Sequence, residues 1–225
     1  MEDKNLKTLL AEVKPEMTAE QVANKFNEIA NELFKYWHIE KGNDCYDFLE
    51  IEFYYYSKEH PDYITYPRDT KAGLWFFHPS GVDITFESKS DYEDGKDKPK
   101  AKLDDYFGGI LIRSLLKNGT DIYTGPQICV NEVFDKVYAF DTNGWPTIKN
   151  TDCSKTIPIS NSARNIRPFI LGVVNSDWTD KAQIKKAETV KSRYPEEFDR
   201  DTMRKYVEDR KYRYYNADYE KELKK

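Results

Sequence analysis

Three charged residues stand inside apolar, strand-like runs of this 225-residue chain. The run FLEIEFYYY carries Glu50 and Glu52, and the run YFGGILIRSLL carries Arg113. A charge in an apolar strand is costly unless it is paired or put to use, because burial removes its hydration. The two runs therefore indicate a site as well as a hydrophobic core.

A strand over Phe48–Tyr56 places both glutamates on one face, because side chains alternate between the faces of a sheet. The residues predicted to share that face are Phe48, Glu50, Glu52, Tyr54 and Tyr56. The opposite face is expected to pack in the core, and it consists of Leu49, Ile51, Phe53 and Tyr55. The glutamate face either meets solvent, as in an ordinary half-exposed strand, or lines a pocket.

Two interpretations of Arg113 remain open from the residues alone. It forms a plain salt bridge to Glu50, Glu52 or Asp83, or it has a catalytic role. Asp83 alternates with apolar neighbours, so its carboxylate could bond a polar ligand from its strand face. His78, in a turn before a proline, is expected to be exposed.

The clearest helix begins at Thr18, where Thr18-x-x-Gln21 has the form of a capping box. Apolar residues at helical spacing predict that one face packs on the core. These residues are Val22, Phe26, Ile29, Ala30, Leu33, Phe34 and Trp37. The polar stretch before the helix, residues 1–15, is expected to be frayed or loosely docked.

Residues 73–77 and 82–86 are predicted to be two strands joined by an HPSG turn. The charged segment 87–105 has the composition of a mobile surface loop. A buried strand follows over 106–116, in which Gly108 and Gly109 allow another backbone to approach closely.

The C-terminal part is predicted to contain a last strand at 169–174, a helix of about 15 residues, and a second helix from Pro195 to about Tyr214. Together the elements predict an α+β fold: a single domain with a curved, mostly antiparallel, barrel-like sheet, packed by an N-terminal helix and two C-terminal helices. We expect residues 1–178 to form the domain and 179–225 to be a helical extension packed on it.

The net charge of −5 and the pI near 5.4 argue against a general nucleic-acid binder, because phosphate neutralisation supplies most non-specific affinity. The sequence contains neither a signal-peptide pattern nor an apolar run long enough to span a membrane. The odd, widely spaced Cys45, Cys129 and Cys153 predict reduced thiols in a cytoplasmic protein. No metal or other cofactor is expected.

Five short motifs, in order, resemble the methylpurine (alkyladenine, 3-methyladenine) DNA glycosylase family. They are LEIEFY at 49–54, WFFHPSGVDIT at 75–85, ILIRSL at 110–115, GPQIC at 125–129 and ARNIRPFILG at 163–172. The resemblance is strongest over residues 48–178, and it implies that the chain is a divergent member with a glycosylase-like domain over residues 1–178.

Glycosylases of this kind flip a damaged nucleotide into an aromatic pocket, where a carboxylate activates water for attack at the sugar carbon. By motif position the resemblance implies that Glu52 is the general base, which must reach its water within about 3 Å. It implies that Arg113 helps to fix that water and that Tyr54 is the stacking face of the pocket. A cation beside Glu52 favours its ionised form, whereas burial opposes it.

Several positions depart from the family pattern. Tyr63, with His60 nearby, stands where the family has a pocket histidine, and the second stacking aromatic falls near Asp83 or Thr85. The acidic loop replaces the segment that carries the DNA-inserting tyrosine. The water-activating pair is therefore kept, while the parts that insert into DNA and select the base are not.

Three hypotheses compete. The first is a DNA glycosylase-like hydrolase that cleaves the N-glycosidic bond of a modified base, in DNA or in a smaller nucleoside. The second is a non-catalytic module that binds a base, a nucleotide or another small ligand. The third is an interaction protein in which Glu52 and Arg113 form a buried structural ion pair.

Overall fold

The N-terminal helical layer consists of α1, Leu6–Ala11, and α2, Ala19–Tyr36. The computed structural model describes residues 5–95, 97–140, 144–151, 154–164, 193, 206 and 209–223. The capping box predicted at Thr18 is present: Gln21 N–H donates to the Thr18 hydroxyl, and Thr18 N–H donates to the Gln21 side chain. The predicted helix and its buried apolar face are confirmed from Val22 to Phe34, but the inclusion of Trp37 is wrong, because Trp37 is the first residue of the strand that follows.

The expectation that residues 1–15 are frayed or loosely docked is wrong for residues 5–15, which are the part of this segment that the structure describes. Leu6, Leu9, Leu10 and Val13 are all buried in the main core. Asn5 caps α1 by accepting a hydrogen bond from the Lys7 N–H. The spacing of the leucines forms an apolar stripe even in this polar segment, and α2 and the sheet provide the surface that covers it.

The ten strands found in the described residues form one antiparallel sheet. Their bounds are β1 Trp37–Lys41, β2 Asp44–Ser57, β3 His60–Pro61, β4 Trp75–His78, β5 Gly81–Thr85, β6 Phe107–Lys117, β7 Asp121–Thr124, β8 Thr147–Asn150, β9 Ile159–Ser162 and β10 Arg213–Asn216. The main path runs β4-β5-β6-β2-β1-β8. Helix α3, Pro126–Phe134, packs on β5 and β6, and α4, Glu220–Leu223, lies near the C-terminus.

The predicted α+β class, a single domain with a curved antiparallel sheet, is confirmed, and the sheet forms a half-barrel. The strands predicted at 73–77, 82–86 and 106–116 correspond to β4, β5 and β6. None of the helices in the described residues is both long and apolar enough to cross a membrane.

Strand β2 lies at the centre of the sheet. Strand β6 pairs along one edge of it, while β1, β10 and β3 share the other edge in turn. The register with β6 is irregular at one place, where Leu49 on β2 and Arg113 on β6 have no cross-strand partner. Irregularities of this kind re-aim side chains and often occur beside functional sites.

This irregularity overturns part of the predicted face assignment. Phe48 lies in the main core with Ile51 and Phe53, whereas Leu49 packs in a separate cluster with Leu116. Strict alternation puts Phe48 and Ile51 on opposite faces of the sheet. Leu49 is an extra residue on β2, and it shifts the alternation by one position. From Glu50 onward the predicted alternation holds.

The helix predicted to reach Tyr214 is wrong at its C-terminal end, because Arg213–Asn216 is strand β10. Tyr214 pairs with Ile51 on β2 and with Asn161 on β9. The part of the β2 edge that lies between β1 and β3 is left for this tyrosine-rich segment to pair with. Tyrosine also has a high propensity for β-strands. The strand predicted at 169–174 and the helix after it lie outside the described residues.

Candidate functional site

Glu52, Tyr54 and Arg113 meet where β2 pairs with β6. The Tyr54 hydroxyl donates to Glu52 Oε2 at 2.7 Å, and Arg113 Nη1 donates to the same oxygen at 3.3 Å. Glu52 is fully buried. The structure therefore brings together the three residues that the sequence selected for catalysis and stacking.

Glu50 is the second carboxylate of this network, and it is 3% exposed. Arg113 Nε donates to Glu50 Oε1 at 3.0 Å, and Arg213 Nε donates to the same oxygen at 2.5 Å. The Ser114 hydroxyl donates to Glu50 Oε2 at 2.9 Å. The alternative in which the glutamate face of β2 meets solvent is thus wrong, because both glutamates are buried and Glu50 is bonded to two arginines and a serine.

The charge states of this network follow from its contacts. Burial opposes the charge of Arg113, but Glu52 and Glu50 outweigh it and raise the pKa of the guanidinium. Burial, and then the charge of Glu52, raises the pKa of Tyr54 well above its usual value. Tyr54 therefore remains a neutral hydrogen-bond donor, and Arg113 remains a cation.

A second buried ion pair lies behind Tyr54. Arg164 Nη1 contacts Asp62 Oδ2 at 2.6 Å and Nη2 contacts Oδ1 at 3.0 Å, with both side chains fully buried. The Arg164 guanidinium also lies 4.6 Å from the centre of the Tyr54 ring. One face of the tyrosine predicted to stack on a base is therefore covered by an arginine.

A cavity of about 50 Å³ borders Tyr54. The residues that line it include Tyr54, Tyr66, Arg68, His78, Asp83 and Leu111. One water molecule takes about 30 Å³ of liquid volume, and ligand pockets are typically roughly 300–1,000 Å³. The cavity in this conformation has room for water but not for a nucleobase.

The carboxylate that lines this cavity belongs to Asp83, which is 2% exposed. Arg68 Nη1 contacts Asp83 Oδ2 at 2.7 Å, and His78 Nε2 contacts Oδ1 at 3.0 Å. Burial raises the pKa of Asp83, but Arg68 and then His78 outweigh it and hold the pKa below its usual value. The Ser80 N–H donates to His78 Nδ1, which assigns the proton of a neutral His78 to Nε2.

The other predicted binding residues lie outside the lining of this cavity. His60 is buried between the Tyr55 carbonyl and the Tyr212 hydroxyl, at 2.7 and 2.8 Å, and burial lowers its pKa to about 4. The Thr85 hydroxyl donates to the Lys71 carbonyl at 2.6 Å. Tyr63 is buried against the ring of Tyr56. In this conformation these three side chains bond to or pack against the protein itself.

Several site residues escaped the sequence analysis. His78 was expected to be exposed, which is wrong, because its side chain is only 6% exposed and is bonded to Asp83. Arg68 and Asp62 lie in a loop whose composition carries no signal. Arg164 lies inside the ARNIRPFILG motif, which was the one available hint of its importance.

The described residues contain no group of three or more histidine, cysteine, aspartate or glutamate side chains that could hold a metal ion. The arrangement offers instead buried carboxylates paired with arginines. Such a site can orient and deprotonate a bound water, or it can hold a polar ligand by hydrogen bonds.

No family model and no solved structure matches the chain. A match exists to an uncharacterized protein, L759, of Acanthamoeba polyphaga mimivirus, with 29% identity over 126 residues. The matched segment covers 49% of this chain and 57% of the viral protein. The chain thus spans less than two thirds of the length of this relative, whose description carries no activity.

Proposed function

We propose that the protein is a divergent DNA glycosylase-like hydrolase, which releases a modified base by carboxylate-activated attack of water on the N-glycosidic bond. The observation that supports this proposal is the bonded set of Glu52, Tyr54 and Arg113, with Tyr54 also forming a wall of the adjacent cavity. By motif position, the glycosylase resemblance assigns Glu52 as the general base, Tyr54 as the ring that stacks on the nucleobase, and Arg113 as the arginine that helps to fix the water.

In this proposal Glu52 is the general base. Arg113 and the Tyr54 hydroxyl both bond to Oε2, so they fix the orientation of the carboxylate. A water bound to Glu52 would lose its proton to the carboxylate as its oxygen attacks the anomeric carbon. The base then leaves with the bonding electrons of the broken C–N bond, and its departure is eased where alkylation makes it cationic.

The base pocket would be an enlarged form of the cavity beside Tyr54. Its outer wall includes Tyr66, whose ring lies 4.1 Å from the Arg193 guanidinium. Entry of a base requires this wall to move outward, since the closed cavity is too small. Asp83 and Arg68 would then offer one acceptor and one donor group to the edge of the base.

The proposed substrate is a modified nucleotide in DNA or a free nucleoside. The acidic chain favours an already unstacked or small substrate, because it supplies little general attraction for a duplex. Cys45 and Cys129 carry free thiols, which supports a reducing compartment, and we place the activity in the cytoplasm.

The test is release of free base, measured by mass spectrometry. The substrates are alkylated duplex DNA, alkylated and deaminated single-stranded DNA, and the matching nucleosides. Glu52→Gln should lower the rate by about 100-fold or more, which is the usual contribution of a general base. Glu59→Gln is the matched control because Glu59 is exposed in a turn. Absence of release by the unmutated protein from every substrate would refute the hydrolase.

A ligand-binding module without catalysis is the second candidate. Two observations favour it: Glu52 is fully buried, and the carboxylate that lines the cavity is Asp83 instead. A thermal-shift screen of bases and nucleosides tests it, because a ligand at 100 times its Kd adds about 2.7 kcal/mol of stability. Stabilisation that is lost in Asp83→Asn, without release of base, would establish this function in place of the first.

A further inference from the structure

The cavity beside Asp83 has a wall residue that also meets solvent. Tyr66 lines the cavity and is itself partly exposed. The charged pair that lines the same cavity, Arg68 and Asp83, has side chains that are only 1% and 2% exposed. Tyr66 therefore borders both the solvent and the space beside this buried pair. A ligand that enters past Tyr66 has to displace its ring.

The Tyr66 ring contacts two other side chains. Its centroid lies 4.8 Å from that of the His78 ring, at an interplanar angle of 33°. The Arg193 guanidinium lies 4.1 Å from the Tyr66 centroid, which is within the range of a cation–π contact. Of these two partners only His78 lines the cavity. Arg193 thus holds the wall of the cavity without belonging to its lining.

Arg193 is fixed by the charged segment 87–105. The Ala101 N–H donates to the Arg193 carbonyl at 2.8 Å, and Ala101 is buried. At the start of the same segment, Ser88 forms a β-bridge with Thr70, at the end of the loop that carries Tyr66. The segment is therefore bonded both to the loop that forms the wall and to the residue that holds it.

We infer that Tyr66 is a gate of the Asp83 cavity and that the contact with Arg193 keeps this gate closed. An exposed cation–π contact favours the closed state about two- to fivefold, which corresponds to roughly 0.5–1 kcal/mol. Such a contact is strong enough to bias the position of the ring and weak enough to break often. The gate acts on access to the cavity, so it does not depend on whether the cavity serves hydrolysis or only binding.

The test is the rate at which diethyl pyrocarbonate acylates His78, measured by peptide mass spectrometry on the full chain. The His78 side chain is 6% exposed and packs against the Tyr66 ring, so opening of the gate uncovers it. If the gate moves faster than the reagent reacts, the rate is proportional to the fraction of open molecules. His38, on β1, is the internal reference.

Three variants act on the gate. Arg193→Gln and Arg193→Met both remove the cation, and each should raise the rate at His78 by about two- to fivefold. Tyr66→Ala removes the ring itself and should raise the rate further. Arg210→Gln is the matched control, because Arg210 lies 5.3 Å from the ring of Tyr206 instead. It should leave the rate at His78 unchanged.

The pattern of rates decides the inference. An increase at His78 alone, larger in Tyr66→Ala than in the Arg193 variants, is the expected result. An unchanged rate at His78 in an Arg193 variant that melts like the unmutated protein would overturn the role of Arg193. An equal increase at His38 would also overturn it, because the fold would then have loosened as a whole. Base release is measured separately, so failure of the hydrolase proposal and failure of the gate give different results.

Discussion

Arg213 and Glu50 are 163 residues apart in sequence, yet Arg213 Nε donates to Glu50 Oε1 at 2.5 Å. Strand β10 pairs with β2 here and carries the arginine to the carboxylate. Arg113 already contacts the same oxygen from β6. Glu50 therefore joins three strands of the sheet through side-chain contacts, and Glu52 beside it shares one of the two arginines.

The two arginines should differ in their effect on stability. Arg113 serves both glutamates, so Arg113→Ala leaves Glu52 with less compensation and should cost about 3 kcal/mol of unfolding free energy. Arg213→Ala should cost about 1–2 kcal/mol, because Glu50 keeps Arg113 and Ser114. Urea unfolding of both variants measures the difference. A loss below about 1 kcal/mol for Arg113→Ala would argue against the structural interpretation of this pair.

The Asp62–Arg164 pair should behave as a coupled unit. Either Asp62→Ala or Arg164→Ala leaves a buried charge without its partner and should cost about 3–5 kcal/mol. The double variant should cost at least about 2 kcal/mol less than the sum of the two single losses. Denaturant unfolding of all four proteins completes the cycle, and additive losses would contradict the coupling.

Stability should fall in mild acid because of His60. Its pKa in the folded protein is about 4, compared with 6.5 in the unfolded chain, so folding favours the neutral ring. The stabilisation is present above pH 6.5 and is lost as the pH falls towards 4, by about 3 kcal/mol in total.

The measurement is urea unfolding of the unmutated protein and of His60→Gln between pH 4 and pH 8 (about one point per half unit). The variant lacks the titrating ring, so its stability should fall less steeply over this range. The chemical shift of the His60 ring reports the folded pKa directly. A His60 that titrates near 6.5 in the folded protein would contradict this prediction.

Gly108→Ala should disrupt the pairing of β2 and β6. A Cβ on Gly108 would lie 2.3 Å from the Tyr54 carbonyl oxygen and 2.9 Å from the Tyr55 Cα, so the backbone itself must shift. We expect a loss of about 3 kcal/mol or a failure to fold. Gly42→Ala is the control: it meets open space at a φ of +59° and should cost about 1 kcal/mol. Circular dichroism and thermal melting distinguish the two.

Local patterns were sufficient for the central elements, which are α2 and the strands β2, β4, β5 and β6. The capping box and apolar periodicity of α2, the β4–β5 hairpin, the strand β6 and the close approach at Gly108 all follow from residues near one another in the chain. The predicted alternation of side chains was wrong at Phe48, because the irregular register beside it depends on how β2 pairs with β6. The helix prediction was wrong at Arg213, because Arg213–Asn216 pairs as a strand with an edge of β2 that is distant in sequence.

The sequence by itself determined which residues could do chemistry. Charges inside apolar runs must be paired or used, and this rule identifies Glu50, Glu52 and Arg113 from the sequence. Only the tertiary structure decided their partners, because Arg213, Arg164 and Asp62 reach the site through long-range strand pairing and loop packing. Local sequence does not encode which strand edge is free or which ring an arginine covers, so these contacts depend on the folded sheet.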